Sequence, residues 1–257
     1  MDTITTGDGT TIAYDDQGEG DPLVLLHGIT ESSVAWDPLV APLAERHRVV
    51  RVDLRGHGAS TAGDSQALDR LAADVAAVVD ALGIARPAVL GHSLGGFVGT
   101  VLAAARPVRA VVNVDQPLAL AAFKVALAPI EPMLRADSFE AVIGGMFAEY
   151  TAALPDDERA RLTALRTPDQ AVVLGIWDPV LTQSVVELDA LVRELVGGID
   201  VPYLAIHGED PGDEYRAWLA GVVPTAHVEV WPDSGHYPHL AHPDRFVARV
   251  EDLLATV

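Results

Sequence analysis

From Leu23 to Pro117 the chain alternates short, continuous apolar runs with longer stretches of helical periodicity. "PLVLLHG" (22–28), the run within "RVVRVDLRGHG" (48–58), "RPAVLGHS" (86–93) and "VRAVVNVDQP" (108–117) are apolar without polar alternation. All four read as strands, and the first, ending in glycine, suits a strand buried on both faces. Between them, "WDPLVAPLAERH" (36–47), "ALDRLAADVAAVVDALGI" (67–84) and "LGGFVGTVLAAARP" (94–107) read as helices, the last two stopped by Gly83 and Pro107. Such alternation predicts βαβ units and a mostly parallel sheet with helices on both faces. Two more units follow: strands "VPYLAIHG" (201–208) and "AHVEVWP" (226–232), with helices from about Asp213 and Pro243. An opening hairpin is expected where Thr3–Thr6 and Thr10–Tyr14 flank "GDG". The expected sheet therefore has about eight strands.

The rhythm breaks between Leu118 and Ile199. Helical patterns continue there, interrupted by Pro129, Pro132, Pro155, Pro168 and Pro179, and no strand is convincing. The expected organisation is a core built from residues 1–117 and 200–257, with 118–199 as an all-helical cap inserted into it.

Composition narrows the function classes. The 257 residues are 49% hydrophobic, enough for one large domain with an insert, and carry a formal net charge of −20. So acidic a surface repels phosphate backbones and anionic membranes, which argues against nucleic-acid or membrane partners. There are no cysteines, so thiolate catalysis, disulfides and cysteine metal sites are excluded. The first residues, "MDTITTGDGTTIAY", lack the basic and apolar regions of a signal peptide, and no apolar run reaches membrane-spanning length. A cytoplasmic protein is the expectation; oligomeric state is not readable.

Gly91-His92-Ser93-Leu94-Gly95 sits where an apolar strand gives way to an Ala-rich helix. This is the Gly-x-Ser-x-Gly nucleophile elbow in its required context. The sharp turn projects the Ser93 hydroxyl above the sheet, and glycines are needed where side chains would strike the turn or the next strand. The helix N-terminus leaves the Leu94 N–H free for a developing oxyanion. No HExxH, dinucleotide fingerprint or P-loop is present, so neither metal nor cofactor is expected.

At these residues the chain resembles the α/β-hydrolase superfamily. "HGIT" (27–30) is similar to the loop after the third strand, which implies Ile29 as the second oxyanion N–H. "DLRGHGAS" (53–60) resembles the family's Asp-x-Arg-Gly-x-Gly-x-Ser loop, and "SGHYPHLAHPDRF" (234–246) its late histidine loop. The resemblance implies His236 as the base. Of the other histidines, His92 adjoins Ser93 but the turn points the two side chains apart, His27, His57 and His207 brace backbone, His47 and His227 are surface or flank residues, and His239 and His242 serve loop packing and helix entry.

The acid that orients the base has two candidates. Most of the superfamily takes it from the loop after the strand "VPYLAIHG", three residues past a glycine. Here that position is Pro211, and Asp210 is one residue short in a compact loop. A minority places it after the preceding strand, which here ends in Asp115. Zearalenone-type lactonases look similar at this strand end and in the histidine loop. Asp115 is the preferred acid and Asp210 the alternative.

The expected activity is that of a serine hydrolase of carboxylic esters or lactones, acting on a small to medium, fairly apolar molecule. Carbon–carbon bond hydrolysis and perhydrolysis use the same triad. A ligand receptor of the same fold, turning over slowly, is the alternative from another class. Within the insert, Trp177 in "LGIWDPV" is a candidate for stacking on or hydrogen-bonding a substrate, against the plainer reading of a core aromatic. Phe123, Met133, Met146 and Phe147 are wall candidates for which core packing is the preferred reading.

Overall fold

The computed structural model describes residues 1–257. Its centre is an eight-stranded sheet: β1 (Asp2–Thr5), β2 (Thr11–Gln17), β3 (Asp21–Leu26), β4 (His47–Val52), β5 (Ala88–His92), β6 (Ala110–Val114), β7 (Tyr203–His207) and β8 (Ala226–Val230). The spatial order is β1-β2-β4-β3-β5-β6-β7-β8, and β2 alone runs against the others. β4, β3, β5 and β6 lie at the middle, and the apolar run 22–28, predicted as a strand buried on both faces, is β3.

Side-chain alternation divides the core into two layers. Val24, Leu26, Val89 and Val111 point to one face, where they meet α2 (Leu68–Ala81), α3 (Leu94–Ala105) and α10 (Gly212–Val222). Leu23, Leu25, Leu90 and Val112 point to the other, against α1 (Asp37–Ala44) and α12 (Pro243–Leu254). A short helix, α11 (Pro238–Ala241), precedes α12. No single helix is long and apolar enough to cross a membrane.

Between β6 and β7 stand six helices: α4 (Ala121–Leu127), α5 (Glu131–Leu134), α6 (Phe139–Tyr150), α7 (Asp156–Leu165), α8 (Gln170–Thr182) and α9 (Val185–Val196). β6 and β7 are parallel neighbours, so the chain must return to the opposite end of the sheet before β7 can begin. α9 makes that return, packed on α3 and on α4. It starts with a capping box, in which Ser184 and Glu187 satisfy each other's backbone N–H groups.

Loop motifs that resemble functional ones serve as braces. Asp53 accepts the Ser33 N–H (2.7 Å) and the Ala59 N–H (2.8 Å), tying two loops together. His27 donates from Nδ1 to the Gly28 carbonyl (2.7 Å) and accepts the Leu54 N–H at Nε2 (3.0 Å). His47, expected on the surface, is buried: α12 covers the start of β4, and Glu251 of that helix takes its Nε2 at 2.9 Å.

Arg55 and Asp74 form a bidentate ion pair at 2.6 and 2.7 Å, with 1% and 4% side-chain exposure. Arg55 also reaches Asp8 at 3.2 Å, whereas Asp74 has Arg55 alone, so removing the arginine leaves a buried carboxylate unpaired. Arg55→Met is expected to cost about 3–5 kcal/mol in urea-induced unfolding, where an exposed pair would cost under about 1 kcal/mol.

Candidate active site

The turn from β5 into α3 is made under steric compulsion. Ser93 has φ 49° and ψ −121°, outside the regions that L-residues prefer. A Cβ at Gly95 would stand 2.1 Å from the Leu26 carbonyl oxygen, and one at Gly91 would stand 2.1 Å from the Gly95 carbonyl oxygen. The two glycines let α3 start directly against β3. Ser93 is then held by its own N–H, which donates to Val114 O (2.9 Å), and by its carbonyl, which accepts Gly96 N–H (2.8 Å).

His236 lies on the loop between β8 and α11. Its Nδ1 stands 2.6 Å from Asp115 Oδ2. Asp115, just past β6, has φ 52°, a conformation that Asp tolerates better than most residues. Its N–H donates to Ile206 O (2.7 Å), and its Oδ1 accepts the Gly208 N–H (2.8 Å). Burial works to raise the Asp115 carboxyl, but the imidazoles of His207 and His236 and the Gly208 N–H outweigh it and hold the group far below the usual carboxylate range. It is an anion that fixes the Nδ1–H tautomer of His236 and leaves Nε2 as the basic nitrogen.

Asp210, the alternative acid, is exposed and engaged elsewhere, accepting Gly212 N–H (2.9 Å) and Arg216 (2.7 Å). The reason lies one turn earlier. Gly208 packs so tightly on the histidine loop that a Cβ there would meet Gly235 O at 1.8 Å. That contact brings the Gly208 N–H to Asp115 and sends the rest of the loop outward.

Ser93, Asp115 and His236 face one cavity of about 390 Å³. Fifteen of its twenty lining residues are hydrophobic, and none is Lys or Arg. Ile29 and Leu94 line it too, and neither N–H has a hydrogen-bond partner in the chain. Trp177 lines it edge-on to Phe123, ring centroids 5.4 Å apart. Phe123, Met146 and Phe147 are wall residues; Met133 is 42% exposed and outside it. No group of three His, Asp or Glu side chains is arranged to hold a metal ion.

Several residues went unnoticed in the sequence. Tyr150, on α6, lines the cavity with its ring 4.7 Å from that of His236. Glu31, Arg166 and Tyr237, with the elbow residue His92 already named, form a buried polar cluster behind the cavity, in which His92 Nε2 donates to the His236 carbonyl (2.9 Å). Only their long-range contacts distinguish them; neither residue type nor spacing marks them out.

The alpha/beta hydrolase family model matches residues 23–249. A bifunctional esterase/perhydrolase from Acinetobacter calcoaceticus is 31% identical over 82% of both chains. A non-heme haloperoxidase from Rhodococcus erythropolis is 44% identical, but over 37% of this chain and 36% of its own. Among solved structures, the enol-lactonase from Burkholderia xenovorans LB400 superposes with a TM-score of 0.76 at 25% identity, covering 99% of this chain and 100% of that one.

The elbow permits a sharp test. Gly95→Ala drives a Cβ against the Leu26 carbonyl, and is expected to destabilise the fold by about 3 kcal/mol, read as a lowered urea midpoint.

Proposed function

The chain belongs to the alpha/beta hydrolase family, and from that premise we propose that it is a serine hydrolase cleaving carboxylic ester or lactone bonds of small to medium, uncharged, apolar molecules. The observation that carries this reading is the Asp115–His236 hydrogen bond of 2.6 Å at the wall of an apolar cavity shared with Ser93. The esterase and enol-lactonase relatives support the reaction class.

In the proposed mechanism, His236 Nε2 takes the hydroxyl proton as Ser93 Oγ attacks the substrate carbonyl. The N–H groups of Ile29 and Leu94 hold the resulting oxyanion. Collapse expels the alkoxide, which His236 protonates, leaving an acyl group on Ser93. A water, deprotonated by His236, attacks the acyl carbon; the acid leaves and Ser93 regains its proton. Asp115 stays ionised throughout and keeps the imidazole oriented. Residues 118–199 act in this reading as a cap, with Trp177 on the wall that receives the substrate.

A second reading follows from the esterase/perhydrolase relative. Hydrogen peroxide taking the place of water at the acyl-enzyme would release a peracid and free Ser93. Both reactions pass through one acyl-enzyme, so peracid formation from an ester and hydrogen peroxide measures the partition between them.

A fluorophosphonate probe is expected to label Ser93 of the folded protein, and absence of labelling sinks the serine-hydrolase reading. Turnover below about one per minute on every ester tried would favour the slow receptor instead, since enzymes commonly run at about 1–10³ per second. Asp115→Asn is expected to lower kcat by about 10⁴-fold, as loss of the tautomer-fixing acid does in serine triads, while Asp210→Asn leaves it unchanged.

The cavity generates its own selectivity. Neutral p-nitrophenyl esters and uncharged lactones are expected to exceed half-esters bearing a free carboxylate by at least about tenfold in kcat/KM, because the cavity offers no cation to a buried anion.

A further inference from the structure

Glu31 is the least expected side chain near the cavity. It stands two residues past Ile29 and is only 1% exposed. Its Oε2 accepts the Gly28 N–H at 3.1 Å, and its Oε1 accepts the Tyr237 hydroxyl at 2.6 Å. It therefore spans the loop that carries Ile29 and the loop that carries His236. Burial works to raise its carboxyl, but His92, Arg166 and Tyr237 outweigh this and hold it well below the usual range, so it is ionised.

The one full positive charge that meets Glu31 comes from the helical segment between β6 and β7. Arg166, just past α7, reaches Glu31 Oε1 at 3.5 Å and also donates to the Tyr237 hydroxyl. Its other face lies 4.0 Å from the centre of the Phe147 ring, a wall of the cavity. The next residue, Thr167, donates its N–H to the Thr30 carbonyl at 3.1 Å, and Thr30 has a positive φ of 66°. The inserted helices thus grip the Gly28–Glu31 loop through backbone and side chain together.

We propose that Arg166 is a positioning residue: through Glu31, Tyr237 and the adjoining Thr167–Thr30 bond it fixes the loop that presents the Ile29 N–H, and it offsets the buried charge of Glu31 where a second negative charge must develop. The proposal rests on the Ser93 acyl-enzyme reading, with Ile29 as an oxyanion donor. Without Arg166 the loop keeps an uncompensated carboxylate, which opposes the oxyanion but leaves an uncharged substrate unaffected. The effect therefore falls on the transition state and not on binding.

The test compares wild type with Arg166→Met, Tyr237→Phe and the double variant Glu31→Gln/Arg166→Met. Each is assayed on a neutral p-nitrophenyl ester, then against a trifluoromethyl ketone, which adds Ser93 Oγ and forms an oxyanion, and against the methyl ketone of the same shape, which binds without adding. Arg166→Met is expected to lower kcat by about 10–100-fold, in the range of a misplaced or opposed oxyanion donor, with KM within about threefold. Affinity for the trifluoromethyl ketone should fall by the same factor while that for the methyl ketone holds. The double variant should recover part of the loss, since it removes the charge that Arg166 offsets without restoring the hold on the loop. Unchanged kcat, equal weakening of both ketones, or a double variant no better than the single one overturns the proposal. If Arg166→Met fails to fold, Tyr237→Phe keeps the ring and loses only the hydroxyl. Selective weakening of the trifluoromethyl ketone there supports the proposal, and its absence refutes it. A wild-type protein that neither turns over the ester nor adds the trifluoromethyl ketone refutes the serine-hydrolase reading itself, and Arg166 positioning with it. Turnover and addition by wild type, with the variants unaffected, refute the positioning role alone.

Discussion

The site depends on one steric fact: α3 begins in direct contact with the backbone of β3. With a hydrogen in place of Cβ at Gly91 and Gly95, the elbow can be driven into the middle of the sheet, and Ser93 has no other place to go. Strain there is local, while the packing that enforces it extends through both core layers. Three of the four non-glycine residues with positive φ, Thr30, Ser93 and Asp115, belong to this region, a concentration that fits a site held in place by its surroundings.

Asp115 stands at the end of β6, one strand away from the loop after β7 that holds Asp210. The loop after β7 is held by the Gly208–Gly235 contact and contributes a backbone N–H to a carboxylate. The carboxylate comes from β6, next door in the sheet. Because β6 and β7 are parallel neighbours in register, the end of β6 presents a carboxylate oxygen to His236 beside the loop that follows β7.

Much of this was legible in the linear chain. A strand buried on both faces leaves a continuous apolar run, so β3 stands out, β4, β5, β6 and β7 follow from their alternation with helices, and the elbow announces itself because a backbone clash demands glycine at fixed offsets. The segment 118–199 was readable as helical by its lack of strands but not as a surface; nothing at Met133 distinguished it from Met146, yet only the second reaches the cavity. His47 was misjudged because its burial is imposed by α12, some two hundred residues later. Glu31, Tyr150, Arg166 and Tyr237 were invisible for the same reason. Glu31 and Tyr237 are 206 positions apart, and no local pattern encodes a partner at that distance.

The return helix α9 has a consequence for how such proteins diversify. It is at once the last inserted helix and the crossover that β6 and β7 require, and its capping box lets it start without help from what precedes it. Recombination that replaced the chain between Leu118 and Gln183 would keep the crossover, the strand order and the Ser93 elbow intact. It would also remove Arg166, so an imported segment would have to bring its own cation for Glu31 or arrive with that carboxylate already lost from the recipient.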